Sequence, residues 1–184
     1  DWQVWLGGKT IVGGLLGGWL GVEIAKKCLA ISVSTGDFFV LPLTVGIAIG
    51  RIGCLLTGLE DHTYGSPTFQ AWGWDFGDGV LRHPLPLYEI AYLVCLCSIL
   101  YAMRRKLKQG DAFKCFMAGY LSFRLFADAW KPPFHGAPHS LLEANMPMAF
   151  AYFGWLTGIQ LTCLLVLCGM FSTRILIPLF LKSR

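Results

Sequence analysis

GIAIGRIGCLLTGLEDHTYG, residues 46–65, begins as a membrane-spanning helix and then places an arginine, Arg51, inside the apolar run. A cation at the depth of a spanning helix costs about 3 kcal/mol on insertion scales, so a chain that keeps one has either a partner or a use for it. The surrounding composition agrees with a membrane setting. Of 184 residues, 55% are hydrophobic and 14% charged, and the mean hydropathy is +0.57. That balance excludes a soluble domain with an ordinary charged surface. The expected fold class is all-α: a polytopic integral membrane bundle of about five transmembrane helices, with a long outer loop that contains a small hairpin.

The apolar runs predict one transmembrane domain over 1–184, with spans at 11–28, 37–57, 85–105, 112–130 and 148–171, and outer loops at 58–84 and 131–147. Lys131-Pro132-Pro133 stops the fourth span, because two prolines cannot continue a helix. The tail after Ser172-Thr173-Arg174 is too short to cross. Ten Lys and Arg residues flank the spans on one side, among them Lys26, Lys27 and the run Arg104-Arg105-Lys106-Leu107-Lys108. Lys9, Arg82 and Lys131 lie on the other. The basic side is expected to be cytoplasmic, which turns both long loops outward. Topology also accounts for the net charge of +4 without nucleic acid. In the first outer loop, residues 69–80 alternate aromatic with small or polar residues and hold an Asp78-Gly79 pair, a hairpin signal; the tryptophans suit a bilayer interface. The chain opens at Asp1 without Met, and is expected to be part of something longer.

The seven cysteines are odd in number, contain no CxxC pair and fall in or beside apolar runs. They read as reduced, small core residues rather than a disulfide framework or metal site. No metal is expected.

Arg51 is not the only polar group at span depth. Glu89 follows Tyr88 a turn into the third span, and Tyr120, Arg124 and Asp128 stand at spacings of four, on one face of the fourth. One reading makes Arg51–Glu89 and Arg124–Asp128 structural ion pairs. The other gives the two arginines a phosphate to hold, for which the guanidinium fork of donors is suited, and a phospholipid headgroup is the phosphate within reach. Glu89 is expected to neutralise one of the two arginines. His83, next to Pro84 at the mouth of the third span, is a candidate for proton transfer. His62, His135 and His139 in the loops carry no such placement. The first span holds Gly13, Gly14, Gly17, Gly18 and Gly21, whose spacing permits close backbone approach, with contact to an acyl chain as the alternative.

Four blocks in order resemble the prolipoprotein diacylglyceryl transferases of bacterial membranes: Val12-Gly13-Gly14-Leu15-Leu16-Gly17-Gly18, Gly50-Arg51-Ile52-Gly53, Arg82-His83-Pro84-Leu85-Pro86-Leu87-Tyr88-Glu89, and Tyr120 through Arg124 to Asp128. Gly158-Ile159-Gln160 is a weaker fifth match. The resemblance implies a transferase of lipoprotein biosynthesis in the bacterial cytoplasmic (inner) membrane, with its site toward the outer leaflet. It would move diacylglycerol from phosphatidylglycerol to the thiol of a lipobox cysteine in a prolipoprotein, with no metal or organic cofactor. It implies Arg51, Arg124 and His83 as catalytic residues, and Tyr88, Glu89, Tyr120, Asp128, Gly13 and Gly14 as substrate-binding ones. The pattern departs from the family at Val12, where the family has histidine; at Cys54 and Thr57, where it has asparagines; at Pro86 for glutamine; and at Asp128 and Lys131 for Glu and Arg. The family's N-terminal helices do not precede the first block. These departures leave a second reading, an inactive family member that binds lipid as a subunit or scaffold among other membrane proteins. A third, a small-solute pathway, would call for an inverted repeat, which this sequence does not display.

Overall fold

The computed structural model describes residues 10–61, 63–128, 152–153 and 156–181. They fall into two compact units, the first Asp1–Leu29 with His139–Arg184 and the second Ala30–Pro138. Most described residues are helical, and five α-helices are found among them.

The first unit contains α1, Ile11–Cys28. Thr10 caps it by accepting the Gly13 N–H on its hydroxyl at 3.0 Å, which satisfies one of the orphan donors of the first turn. Lys26 and Lys27 occupy the last turn, where cations complement the helix dipole. Val12 and Leu15 are buried. A Cβ built on Gly14, Gly17, Gly18 or Gly21 meets no atom within 4 Å, so the close backbone approach expected of this run is not made among the described residues. The same unit holds a two-stranded pair, β3 (Tyr152–Phe153) and β4 (Leu156–Thr157), leading into α5, Gly158–Leu181. The helix starts on a reciprocal cap: Gln160 Oε1 accepts the Thr157 N–H at 3.0 Å, and Thr157 Oγ1 accepts the Gln160 N–H at 3.2 Å. It runs unbroken to Leu181, past the stop expected at Phe171.

The second unit is built from α2 (Val40–Thr57), α3 (Leu85–Met103) and α4 (Asp111–Ala127), with α3 packed against both of the others. At one end, the 3-10 turn Gly36–Phe39 carries Asp37, whose carboxylate accepts N–H groups from Gly110 at 2.6 Å and Phe113 at 3.0 Å, and so caps α4 from a distant part of the chain. Along the α3–α4 contact, the Tyr92 hydroxyl donates to the Gly119 carbonyl at 2.9 Å and its ring stacks on Phe123 at 4.4 Å. Leu93, Phe116, Met117, Tyr120 and Leu121 are fully buried.

The loop joining α2 to α3 is ordered by backbone pairing. β1 (Trp74–Asp75) and β2 (Leu81–Arg82) form the antiparallel hairpin, and Asp75 Oδ1 gathers the N–H groups of Gly77, Asp78 and Gly79 at 2.8, 3.1 and 3.0 Å across its turn. A third segment joins β2 from the other side: Thr68 N–H donates to Leu81 at 2.9 Å, His83 N–H to Ser66 at 3.1 Å, and Gly65 N–H to His83 at 2.9 Å. Glycine is required at 65, where a Cβ would come within 2.7 Å of His83 Cβ, and at 58, whose φ of +76 turns the chain out of α2.

Among the described residues, two helical segments are long and apolar enough to cross a membrane, Gly36–Asp61 and Leu85–Met103. The reading of the cysteines as core residues is corrected here. Only Cys163 is buried, Cys54 and Cys97 are intermediate, and Cys28, Cys95, Cys115 and Cys168 are exposed. An outward helix face in a membrane is as apolar as a core, so a small soft side chain in an apolar run does not reveal which way it points.

Candidate functional site

The three helices of the second unit bring polar residues to a common point. Arg51 lies in the last two turns of α2, Glu89 in the second turn of α3, and Tyr120 and Arg124 one turn apart on α4, with Asp128 just past the α4 end. Arg51, Glu89, Arg124 and Asp128 are 6%, 2%, 7% and 5% exposed, and Tyr120 is fully buried. Four ionised groups at that depth are tolerable only if they satisfy one another.

Glu89 does most of this. Its Oε1 accepts the Tyr120 hydroxyl at 2.7 Å, and its Oε2 accepts Arg124 Nη1 at 3.1 Å while also standing 2.9 Å from Arg51 Nε. The expectation that Glu89 neutralises one arginine is therefore exceeded, since both guanidinium groups converge on the same oxygen. Arg124 Nη2 reaches Asp128 Oδ1 at 2.9 Å. Two cations face two carboxylates, and the cluster is neutral as a whole.

The two arginines are not held alike. Arg124 has both terminal nitrogens engaged by carboxylates, which leaves only a buried Nε without a hydrogen-bond partner. In Arg51 the Nε–H is not aimed along the short vector to Glu89, so that contact is an ion pair and not an aligned hydrogen bond. Among the described residues its Nη1 has one hydrogen-bond partner, the Cys54 sulfur at 3.8 Å, a weak acceptor. Arg51 thus keeps a donor edge that is available to a stronger acceptor, whereas Arg124 is committed to the protein. Cys54, where the resembled family has asparagine, supplies only a weak acceptor to this edge.

His83 and Tyr88 form a separate pair at the entrance to α3, with His83 Nδ1 and the Tyr88 hydroxyl 3.1 Å apart. Neither makes a hydrogen bond or ion pair with the arginine cluster among the described residues. Gly13 and Gly14 lie on α1 and belong to the other unit; a Cβ on Gly13 would meet Thr10 Oγ1 at 3.0 Å, and one on Gly14 would meet nothing. His62, Lys131, His135 and His139 lie outside the described residues. Among the described residues, no group of three or more His, Cys, Asp and Glu side chains could hold a metal.

A second arginine cluster stands on the hairpin. Arg82 donates to Asp78 through both terminal nitrogens, at 2.6 and 2.7 Å, and lies over the Tyr64 ring at 5.0 Å. The paired donors hold the Asp78 carboxyl down at about 2, below its ordinary 3.8, and the carboxylate in turn raises Arg82.

A family model described as prolipoprotein diacylglyceryl transferase matches residues 2–174. The phosphatidylglycerol–prolipoprotein diacylglyceryl transferase of Nitrosomonas europaea is 33% identical over 142 residues, covering 72% of this chain and 49% of the relative. Those of Legionella pneumophila (strain Corby) and Oleidesulfovibrio alaskensis are 30% and 31% identical over 178 and 172 residues, each covering 91% of this chain and 62% and 59% of the relative. The chain thus spans about half to three fifths of the length of these relatives. No solved structure matches it.

Proposed function

We propose a function from one premise: this chain belongs to the prolipoprotein diacylglyceryl transferase family. The activity is transfer of diacylglycerol from phosphatidylglycerol to the cysteine thiol of a prolipoprotein lipobox. The setting is a polytopic bundle in the bacterial inner membrane, with the site toward the outer leaflet. The observation that carries the reading is the convergence of Arg51 and Arg124 on Glu89 Oε2, with Arg51 Nη1 meeting no hydrogen-bond acceptor stronger than a thiol among the described residues.

The roles follow from that asymmetry. Arg51 takes the phosphate of phosphatidylglycerol on its free edge. Glu89, fixed by Tyr120 and Arg124, keeps the Arg51 guanidinium in place and offsets its charge until the lipid arrives. Asp128 holds Arg124 from the other side. The lipobox thiolate attacks the diacylglycerol carbon that bears the phosphate oxygen. A carbon–sulfur bond forms, the carbon–oxygen bond breaks, and glycerol phosphate leaves with the electron pair and its charge against Arg51. The thiol must give up a proton first. Val12 is buried and apolar and cannot accept it, which leaves His83, oriented by Tyr88, as the base.

The test is transfer from labelled phosphatidylglycerol to a lipobox peptide in vesicles containing the full chain. The unmodified protein transfers label, and Arg51→Lys, which keeps the charge and loses the fork of donors, slows transfer by about 100-fold or more with the folded yield unchanged. Absence of transfer by the folded, unmodified chain defeats the enzymatic reading and leaves a lipid-binding subunit.

A further inference from the structure

The proposed chemistry makes no use of the aromatic residues of the α2–α3 loop. Phe69 is fully exposed, and Trp72, Trp74 and Leu81 are 60%, 45% and 45% exposed. Large apolar side chains are not left in water on a mobile tip here. The Gly73 N–H donates to the Gln70 carbonyl at 2.9 Å, Thr68 pairs with Leu81, Pro67 bridges to Arg82, and Trp74 lies in β1 opposite Arg82. The backbone therefore holds the aromatic rings out, with their ordering entropy already spent in folding.

Charge is sorted along the same loop. Residues 69–74 contain no Asp, Glu, Lys or Arg. The charged groups of the hairpin gather at the other end, where Asp75 is occupied by three turn N–H groups and Asp78 by Arg82. One edge is thus uncharged and aromatic, the other polar and internally satisfied. Both ends of the loop are tied to segments apolar enough to cross a membrane. It leaves α2 just after Leu56, 79% exposed, and returns to α3 just before Leu87, also exposed. A loop anchored at both ends at one membrane face and folded by its own backbone pairing stays close to that face.

We infer that the 69–74 edge is a membrane-interface anchor, seated in the headgroup region of the bilayer at the face where α2 ends and α3 begins. Trp and Tyr favour that depth because their rings are apolar at one end and hydrogen-bonding at the other. Seated there, the hairpin holds Arg82 and His83 at the membrane surface beside the α3 entrance.

The experiment uses the full chain in vesicles of phosphatidylcholine and phosphatidylglycerol, and compares tryptophan emission of the unmodified protein with that of the Trp72→Phe/Trp74→Phe variant. The difference isolates those two side chains, and the replacement keeps an aromatic ring. Expected is a difference signal quenched roughly twofold more by phospholipids brominated near the carbonyl end of the acyl chain than by those brominated near the methyl end, and protected from aqueous iodide. A signal quenched by iodide and not by brominated lipid places the edge in water and overturns the inference. A signal reached by neither quencher places a protein surface over it and overturns it equally.

Discussion

Arg124 with Glu89 and Asp128, and Arg82 with Asp78, are arginine–carboxylate clusters with nearly the same distances, 2.9 to 3.1 Å in the first and 2.6 to 2.7 Å in the second. What separates them is the solvent each would have if its partner were removed. Asp78 is exposed, and water would replace Arg82 at little loss. Glu89 is buried between three helices, so a missing arginine would leave its charge without solvent to replace the lost partner. Contact length therefore says little about what an ion pair contributes. The environment of the separated charges decides it.

The comparison is tested most severely by Glu89→Gln. It removes the one anion shared by two cations and leaves them to repel each other. We expect a loss of about 3–5 kcal/mol, read as unfolding by dodecyl sulfate in mixed micelles, with transfer activity lost as well. A variant as stable as the parent would mean that the cluster is hydrated and equivalent to the hairpin pair. Tyr120→Phe is gentler: it removes a single hydrogen bond to a buried carboxylate without a change in charge, for an expected loss of about 1.5–3 kcal/mol in the same measurement. Smallest of all is Asp78→Asn, whose unfolding midpoint should match the parent within scatter at neutral pH. The pH dependence of the hairpin sharpens the point. Asp78 has its carboxyl lowered to about 2 from 3.8, so its stabilising contribution is fully present above the ordinary value and is lost as pH falls toward 2. Hairpin tryptophan emission should stay flat from neutral pH down to about pH 4 and change only below that. A transition near neutrality would assign the titration to another group.

Much of this was readable from residue types and spacing. Arg51 inside an apolar run announced a buried partner, and the repeat of Tyr120, Arg124 and Asp128 at intervals of four put three polar groups on one helix face. What spacing along one helix cannot give is which helix it meets and at what height. The sharing of Glu89 Oε2 depends on the packing of α3 against both neighbours, and so does the difference between a saturated Arg124 and a partly open Arg51. The cap on α5 was legible as Thr157-Gly158-Ile159-Gln160, a Ser/Thr-x-x-Glu/Gln pattern, yet those residues first drew notice as a family match. The exposed cysteines were not legible, because an apolar run in a membrane protein has no polar face to orient it.

The central proposal is that Arg51, fixed by the Glu89 it shares with Arg124, offers its open edge to a lipid phosphate. Its most direct measurement is retention of lipid by the full chain in mild detergent, followed by native mass spectrometry after exposure to equal amounts of phosphatidylglycerol and phosphatidylcholine. The account predicts one retained phosphatidylglycerol per chain, favoured by roughly tenfold or more, and loss of that preference in Arg51→Lys. Equal retention of the two lipids, or an unchanged preference in the variant, would contradict it.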